Sequence, residues 1–473
     1  MFNRSSSLLA ISLALVGSSA LAGPDVQNWL TTADQHALLK PGVPLSLEAG
    51  QAPLPVHIEV DPTQRFQSMV GYGAAITEAS AWLIHHEMQP AQREVLMNDL
   101  FGHGPDGIGL EFTRLTIGAS DFSRTHYSLD DVPAGQKDMA LKHFSLAPEK
   151  ADVVPVVKQA LAVNPQLQVM ASPWSAPAWM KTNGNAYKGH LKPEMYGVFS
   201  RYMLRYVQAM KAEGVNIFAL TLQNEPHFEP ENYPGMRMDP PERAKVIGEH
   251  LGPLLKAKAP GVQIMEWDHN WDEPQSPLAV LADAKARAYV SSVAWHCYAG
   301  EPSVQTKVHE AYPDKDVWMT ECSGGNWMDE WTKAWPWMMK NLVIGGPRNG
   351  ARGVLLWNLA LDENHGPHKG GCTDCRGVVT IDSKTGAVSR NMEYYALGHA
   401  SRFVRQGAKR IASTSDVGGL DTVAFQNPDN SLVLVVSNGG EVTRQFSVGY
   451  QGKELRYELP SLGVVTFTWP GER

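Results

Sequence analysis

The chain has 473 residues, 43% of them hydrophobic and 19% charged, a balance that fits one large folded domain with an appendage or two to three ordinary domains. Its formal net charge of −8 supplies no general basic field, which argues against a nucleic-acid partner. Fourteen tryptophans are many for this length, and indole faces wall sugar sites as well as filling cores.

The first residues, "MFNRSSSLLAISLALVGSSALAG", combine Arg4, an apolar stretch and the small-x-small signal Ala20-Leu21-Ala22. They read as a signal peptide over residues 1–22, with the mature chain starting near Gly23 in an exported, oxidising compartment, the bacterial periplasm or the extracellular space. No later run reaches about 18 apolar residues, so no transmembrane segment is expected. Within residues 23–65, "VPLSLEAG" and "PVHIEVDP" are strand-like and are expected to join the C-terminal strands described below.

Over residues 66–400, eight β-type runs alternate with amphipathic stretches: "SMVGYGAAI", "LEFTRLTIG", "LQVMASPW", "IFALTLQNEP", "VQIMEWDH", "VSSVAWHCY", "DVWMTECS" and "ARGVLLWNLA". Between them, "PEMYGVFSRYMLRYVQAMKAEG" and "PERAKVIGEHLGPLLKAKAPG" read as helices closed by glycine. Eight repetitions predict an α/β fold, a (β/α)8 TIM barrel, with a doubly wound open sheet as the other topology built from such units. Residues 401–473 differ in texture. Short strands such as "SLVLVVSNGG" and "GVVTFTW" between Asn, Gly and Asp turns predict an appended β-sandwich.

Each apolar run ends in functional groups: Glu78, Arg114, Trp174, Glu225, Asp268 with His269, His296 with Tyr298, Glu321, and Trp357 with Asn358. A barrel gathers such strand ends on one face. Glu225 after the fourth run and Glu321 after the seventh would then face each other across the mouth. Two such carboxyl groups suit glycosidic hydrolysis, one protonating the leaving oxygen and one attacking the anomeric carbon from roughly 5 to 5.5 Å away in a retaining enzyme. Asn224 could hold a sugar 2-hydroxyl, and Trp174, Trp179 and Trp357 could offer flat apolar faces. Arg114 reads equally well as support for a carboxylate and as a substrate contact.

The segments "GYGAAITEASAWLI", "TRLTIGASDFSRTHYSLDD", "ASPWSAPAWMKTNG", "LTLQNEPHF", "VAWHCY", "WMTECSGG", "LLWNLALDENHGP" and "YYALGHASRFV" together resemble glycoside hydrolase family thirty, of clan A, in its glucosylceramidase-like branch. The resemblance implies a retaining β-glycosidase without cofactor or metal, with Glu225 as acid/base and Glu321 as nucleophile. It implies a sugar pocket of Trp174, Asn224, Tyr298 and Trp357, with Arg114 and His296 beside the carboxylates. Glu78 of "GAAITE" replaces an aspartate of the family and is expected to grip outer hydroxyls of the sugar. Glucosylceramidase, acting on a β-glucoside or glycolipid, is the foremost implied activity, and endo-β-1,6-glucanase is the alternative. A catalytically silent carbohydrate-binding protein would have lost a carboxylate, and both are present.

Four cysteines remain. Cys372 and Cys375 of "HGPHKGGCTDC" could form a zinc set with His365 and His368, but in an exported protein a local disulfide is the simpler reading. Cys297 and Cys322 alternate away from their inward neighbours and are expected to be buried thiols behind the barrel wall.

Overall fold

The computed structural model describes residues 25–471, so the expected signal segment lies outside the described residues. Eight strands form the centre of the molecule: β1 (Gly71–Ala74), β2 (Phe112–Ile117), β3 (Gln168–Pro173), β4 (Ile217–Thr221), β5 (Gln263–Asn270), β6 (Val290–His296), β7 (Asp316–Glu321) and β8 (Ala351–Leu356). Each pairs in parallel with its chain neighbour, and β8 pairs with β1, closing a barrel. The open-sheet alternative is thereby excluded.

Strand side chains alternate in and out, so one face of each run fills the barrel in layers. The lower layer is apolar: Phe112, Met170, Ala219, Met265, Ala294, Trp318 and Leu355, one from each of seven strands, form a single buried cluster. Gly353 lets this plug close, since a Cβ there would lie 2.8 Å from both the Phe112 and the Trp318 rings. Two residues further along each strand the inward positions become polar or aromatic: Arg114, Ser172, Thr221, His296, Thr320 and Trp357. Strand β5 departs from the count. Its register shifts so that Ala294 faces Trp267 and Trp295 faces His269, with Trp267 and Asp268 both at positive φ (79° and 59°). The extra residue turns Asp268, not Trp267, into the polar layer.

The expected helices are present with local modifications. Tyr196–Ala212 follows a 3-10 turn at Pro193–Met195. Pro240–Lys245 continues through a wider π turn, Val246–Leu251, into Gly252–Lys258, and the widening accommodates Pro253, which has no N–H to donate.

The side domain is a ten-stranded assembly. Strand His57–Ser68 pairs antiparallel with Lys409–Ser413 and, through its first residues, parallel with Arg444–Tyr450. It thus joins two sheets that share one core, including Ile58, Val60, Leu434, Phe446 and Phe467. Of "VPLSLEAG", Glu48–Ala49 pairs at an edge and Leu45 bridges Val26, while Gln27–Thr31 pairs fully with Val464–Trp469. Among the described residues no helix is long and apolar enough to cross a membrane.

Candidate active site

The C-terminal strand ends surround a cleft of about 520 Å³, lined deep down by Asp121, Trp174, Asn224, Glu225, Glu321 and Trp357. Beneath it lies a fully buried charged floor. Arg114 donates from Nη2 to Asp268 Oδ2 (2.6 Å) and Asn224 Oδ1 (2.8 Å), from Nε to Ser172 Oγ (3.2 Å), and from Nη1 to Glu321 Oε2. Asp268 also accepts from Thr320 Oγ1 (2.7 Å) and from His296 Nε2 (3.0 Å), with the hydroxyls of Ser172 and Thr221 at 2.9 and 2.7 Å. Despite its burial, Arg114 and His296 hold the Asp268 carboxyl far below the usual carboxylate range.

His296 links floor and cleft, donating from Nδ1 to Glu225 Oε1 at 3.0 Å. Burial alone would lower its basicity, but Glu321, Asp268 and Glu225 raise its pKa to about 9, so it is an imidazolium near neutral pH. Glu225 itself sits at positive φ (46°), its N–H bonded to the Asp268 carbonyl (3.0 Å). A left-handed glutamate at a strand end is a strained placement that the surrounding hydrogen bonds enforce. Gln223, just before it, donates to the Trp174 carbonyl at 2.6 Å and helps hold the turn. Tyr298 donates to Glu321 Oε1 at 2.8 Å while its ring stands at the mouth.

Burial pushes Glu225 up, but the His296 hydrogen bond, with the charges of His269, His296 and Arg114, brings it below its ordinary value. For Glu321, burial together with the charges of Glu225 and Asp268 outweighs His296 and Arg114 and lifts it. Two cations, Arg114 and His296, thus face three carboxyl groups.

The walls are aromatic. Trp174 and Trp357 stack with centroids 5.0 Å apart and planes 19° from parallel, and the Arg114 guanidinium lies 4.7 Å from the Trp174 centroid. Phe228, Tyr298 and Trp327 are exposed at the rim. Trp179 is elsewhere, its indole N–H bonded to the Asp130 carbonyl at 2.9 Å.

Glu78 corrects the expectation attached to it. Strand β1 ends at Ala74, and Glu78 opens the short helix Glu78–Trp82 behind its Thr77 cap. Its carboxylate accepts from the Arg124 backbone N–H (2.8 Å) and Nε (2.7 Å) and does not line the cleft. The acid in that quarter is Asp121, three residues before Arg124. Burial and the nearby Glu321 charge raise its pKa to about 8, so it enters the neutral range protonated. Gly371, at φ +67°, lets the cysteine loop pass close, since a Cβ there would lie 2.4 Å from Asp121 Cβ.

Cys372 and Cys375 are bonded to each other on the cleft wall. With both sulfurs joined they cannot serve as thiolate ligands, and His365 contacts the Cys375 carbonyl and Asn326 instead. The second pair overturns the thiol expectation: Cys297 and Cys322 form a disulfide. The alternation placing both outside the barrel is right, but β6 and β7 are neighbours and a register shift sets His296 opposite Glu321, which brings the next residues together. Ligand atoms of Glu225, His269 and His296 also converge within 4.8 Å, but both His296 nitrogens already donate to carboxylates.

An eight-stranded barrel carrying paired glutamates at the C-terminal ends of its strands defines a barrel glycoside hydrolase. The chain belongs to glycosyl hydrolase family 30: residues 69–404 match the family's TIM-barrel domain and residues 407–467 its beta sandwich domain. It is 34% identical to an endo-1,6-beta-D-glucanase of Neurospora crassa, over 86% of this chain and 88% of that one. It is 28% identical to the lysosomal acid glucosylceramidase of Mus musculus, over 90% and 84%. Among solved structures it is similar to the endo-beta1,6-glucanase BT3312, with TM-score 0.87 and 31% identity over 95% of this chain and all of that one.

Proposed function

We propose that the protein is a retaining endo-β-1,6-glucanase, with Glu225 as acid/base and Glu321 as nucleophile. The observation that carries this choice is the near full-length likeness to endo-1,6-β-glucanases, at 31% to 34% identity against 26% to 30% for glucosylceramidases. The glucosylceramidase reading, foremost in the sequence, therefore takes second place.

Retention is supported by the His296 Nδ1 atom, which lies 3.0 Å from Glu225 Oε1 and 3.9 Å from Glu321 Oε1, so these oxygens are no more than about 7 Å apart, compatible with the roughly 5 to 5.5 Å between carboxyl groups of retaining enzymes. Arg114 and Tyr298 hold one oxygen each of Glu321 and aim it at the anomeric carbon. Positive charge developing at that carbon favours ionised Glu321, and Glu225, protonated as the acid, gives its proton to the leaving oxygen. Glu225, now a base, activates the water that releases the glycosyl ester. Asn224 is oriented by Arg114 toward the sugar 2-hydroxyl, Asp121 and Tyr298 offer further hydrogen bonds, and Trp174 and Trp357 pack on the ring. The two disulfides suit an oxidising compartment, which supports export to the periplasm or beyond.

The test is product analysis on β-1,6-glucan, gentiobiose and glucosylceramide side by side. Early release of mixed oligosaccharides from the glucan is expected. Glucose as the sole early product, or faster release of ceramide, would overturn the reading.

A further inference from the structure

We infer that the Cys297–Cys322 disulfide is a positioning element of the active site, holding Tyr298 on Glu321, so that turnover depends on its oxidised state. The inference rests on the glycosidase reading but not on which glycan is cut. The ladder between β6 and β7 ends at the pair His296 and Glu321. The residues immediately beyond are the two cysteines, with Cα atoms 5.3 Å apart. Cys297 precedes Tyr298, whose hydroxyl donates to Glu321 Oε1 and whose N–H is held by Asn270 Oδ1 at 3.0 Å. Cys322 follows Glu321, and its carbonyl accepts from the Trp357 N–H at 2.7 Å. Each sulfur is thus one residue from a group that touches the cleft. After Cys322 the chain is next fixed where Gly324–Gly325 pairs with Cys375–Arg376, so without the bridge the strand ends lose their only covalent restraint at this point.

The bridge is nearly buried, but Cys297 borders a groove of about 320 Å³ beside Trp327, Met328 and Trp337, which gives a small reductant a way in. A dithiol such as dithiothreitol supplies two electrons and two protons, breaks the S–S bond to two thiols and leaves as its cyclic disulfide. The freed ends let Tyr298 draw back from Glu321. A hydroxyl that donates to a carboxylate favours its charged form, so its withdrawal raises the pKa of Glu321.

The test uses the full chain and an aryl β-glucoside, on which activity of the unmodified enzyme first verifies the glycosidase itself. In the double variant Cys297→Ala, Cys322→Ala, kcat should fall about ten- to a hundredfold with KM within about twofold, and the acid limb of the pH profile should move to higher pH. Unchanged kcat, or a fall with the acid limb unmoved, would overturn the proposal. Should the variant fail to fold, stepwise reduction of the native enzyme answers the same question, with thiols in quenched samples located by mass spectrometry. Activity should fall in step with reduction of Cys297–Cys322 and not with that of Cys372–Cys375. Activity that survives conversion of the first pair to thiols would refute it.

Discussion

The floor and the rim of the cleft are built on opposite principles. In the floor, Arg114, Asp268 and His296 are wholly buried and hold one another through charged hydrogen bonds. At the rim, Phe228, Tyr298 and Trp327 are 47%, 45% and 53% exposed, among the few large hydrophobic side chains left in solvent. Removing one member of the floor strands a buried charge, whereas removing Phe228 or Trp327 forfeits only contact area; Tyr298 alone joins the two zones, through its hydroxyl on Glu321. The reaction is therefore set by a few interdependent groups, and the choice of glycan by several weak, separable ones.

This contrast can be broken at four points. The largest effect is expected at the carboxylates above the floor. Glu321→Ala should lower kcat by more than about 10⁴-fold on every substrate, and azide should restore an inverted glycosyl azide. Glu225→Ala should cost roughly 10² to 10⁴-fold with a sugar leaving group and far less with a good aryl one, azide giving the retained product. Proton NMR of the azide products separates the two roles, and the opposite anomers would reverse the assignment.

Next comes the floor itself. Asp268→Asn should destabilise the fold by about 3 to 5 kcal/mol in urea unfolding, because Arg114 and His296 lose their shared counter-charge. A loss below about 1 kcal/mol, typical of an exposed ion pair, would erase the distinction between floor and rim.

The pH dependence sharpens the same point. His296 has a folded pKa of about 9 against an ordinary 6.5, so its contribution is complete below 6.5 and is lost as pH rises through 9. Asp268 behaves in the opposite sense: its contribution is complete above the ordinary carboxylate range and is lost as pH falls below it. Stability should therefore decline on both sides of a plateau in the weakly acidic range. In His296→Gln the alkaline decline should flatten, measured as melting temperature against pH.

The smallest effect belongs to the rim. Trp327→Ala should raise KM for the glucan by about three- to tenfold with kcat nearly unchanged, the worth of one aromatic contact. A large fall in kcat instead would place Trp327 with the chemistry.

Much of this was legible because strand side chains alternate. Reading every second residue from Phe112, Met170, Ala219, Ala294, Trp318 and Leu355 leads directly to Arg114, Ser172, Thr221, His296, Thr320 and Trp357. What could not be read depends on register or on loops. Asp268 is legible at its strand end, but its place in the buried layer depends on the irregularity in β5, and the Cys297–Cys322 bond needs the offset between β6 and β7. Asp121 lies beyond the end of β2 at Ile117, where no periodicity applies. Glu78 misled because the chain turns into a helix between the strand end and its side chain.

The strand His57–Ser68 carries one further consequence. It leads into β1 after two residues, yet its partners lie in residues 409–413 and 444–450, so some 340 residues emerge from the ribosome before it can pair. Through that interval its Ile58 and Val60 face and its unpaired edge stay open to wrong partners. Synthesis and folding of this protein are thus coupled through its last strands, and the barrel gains its side support only when the chain is nearly complete.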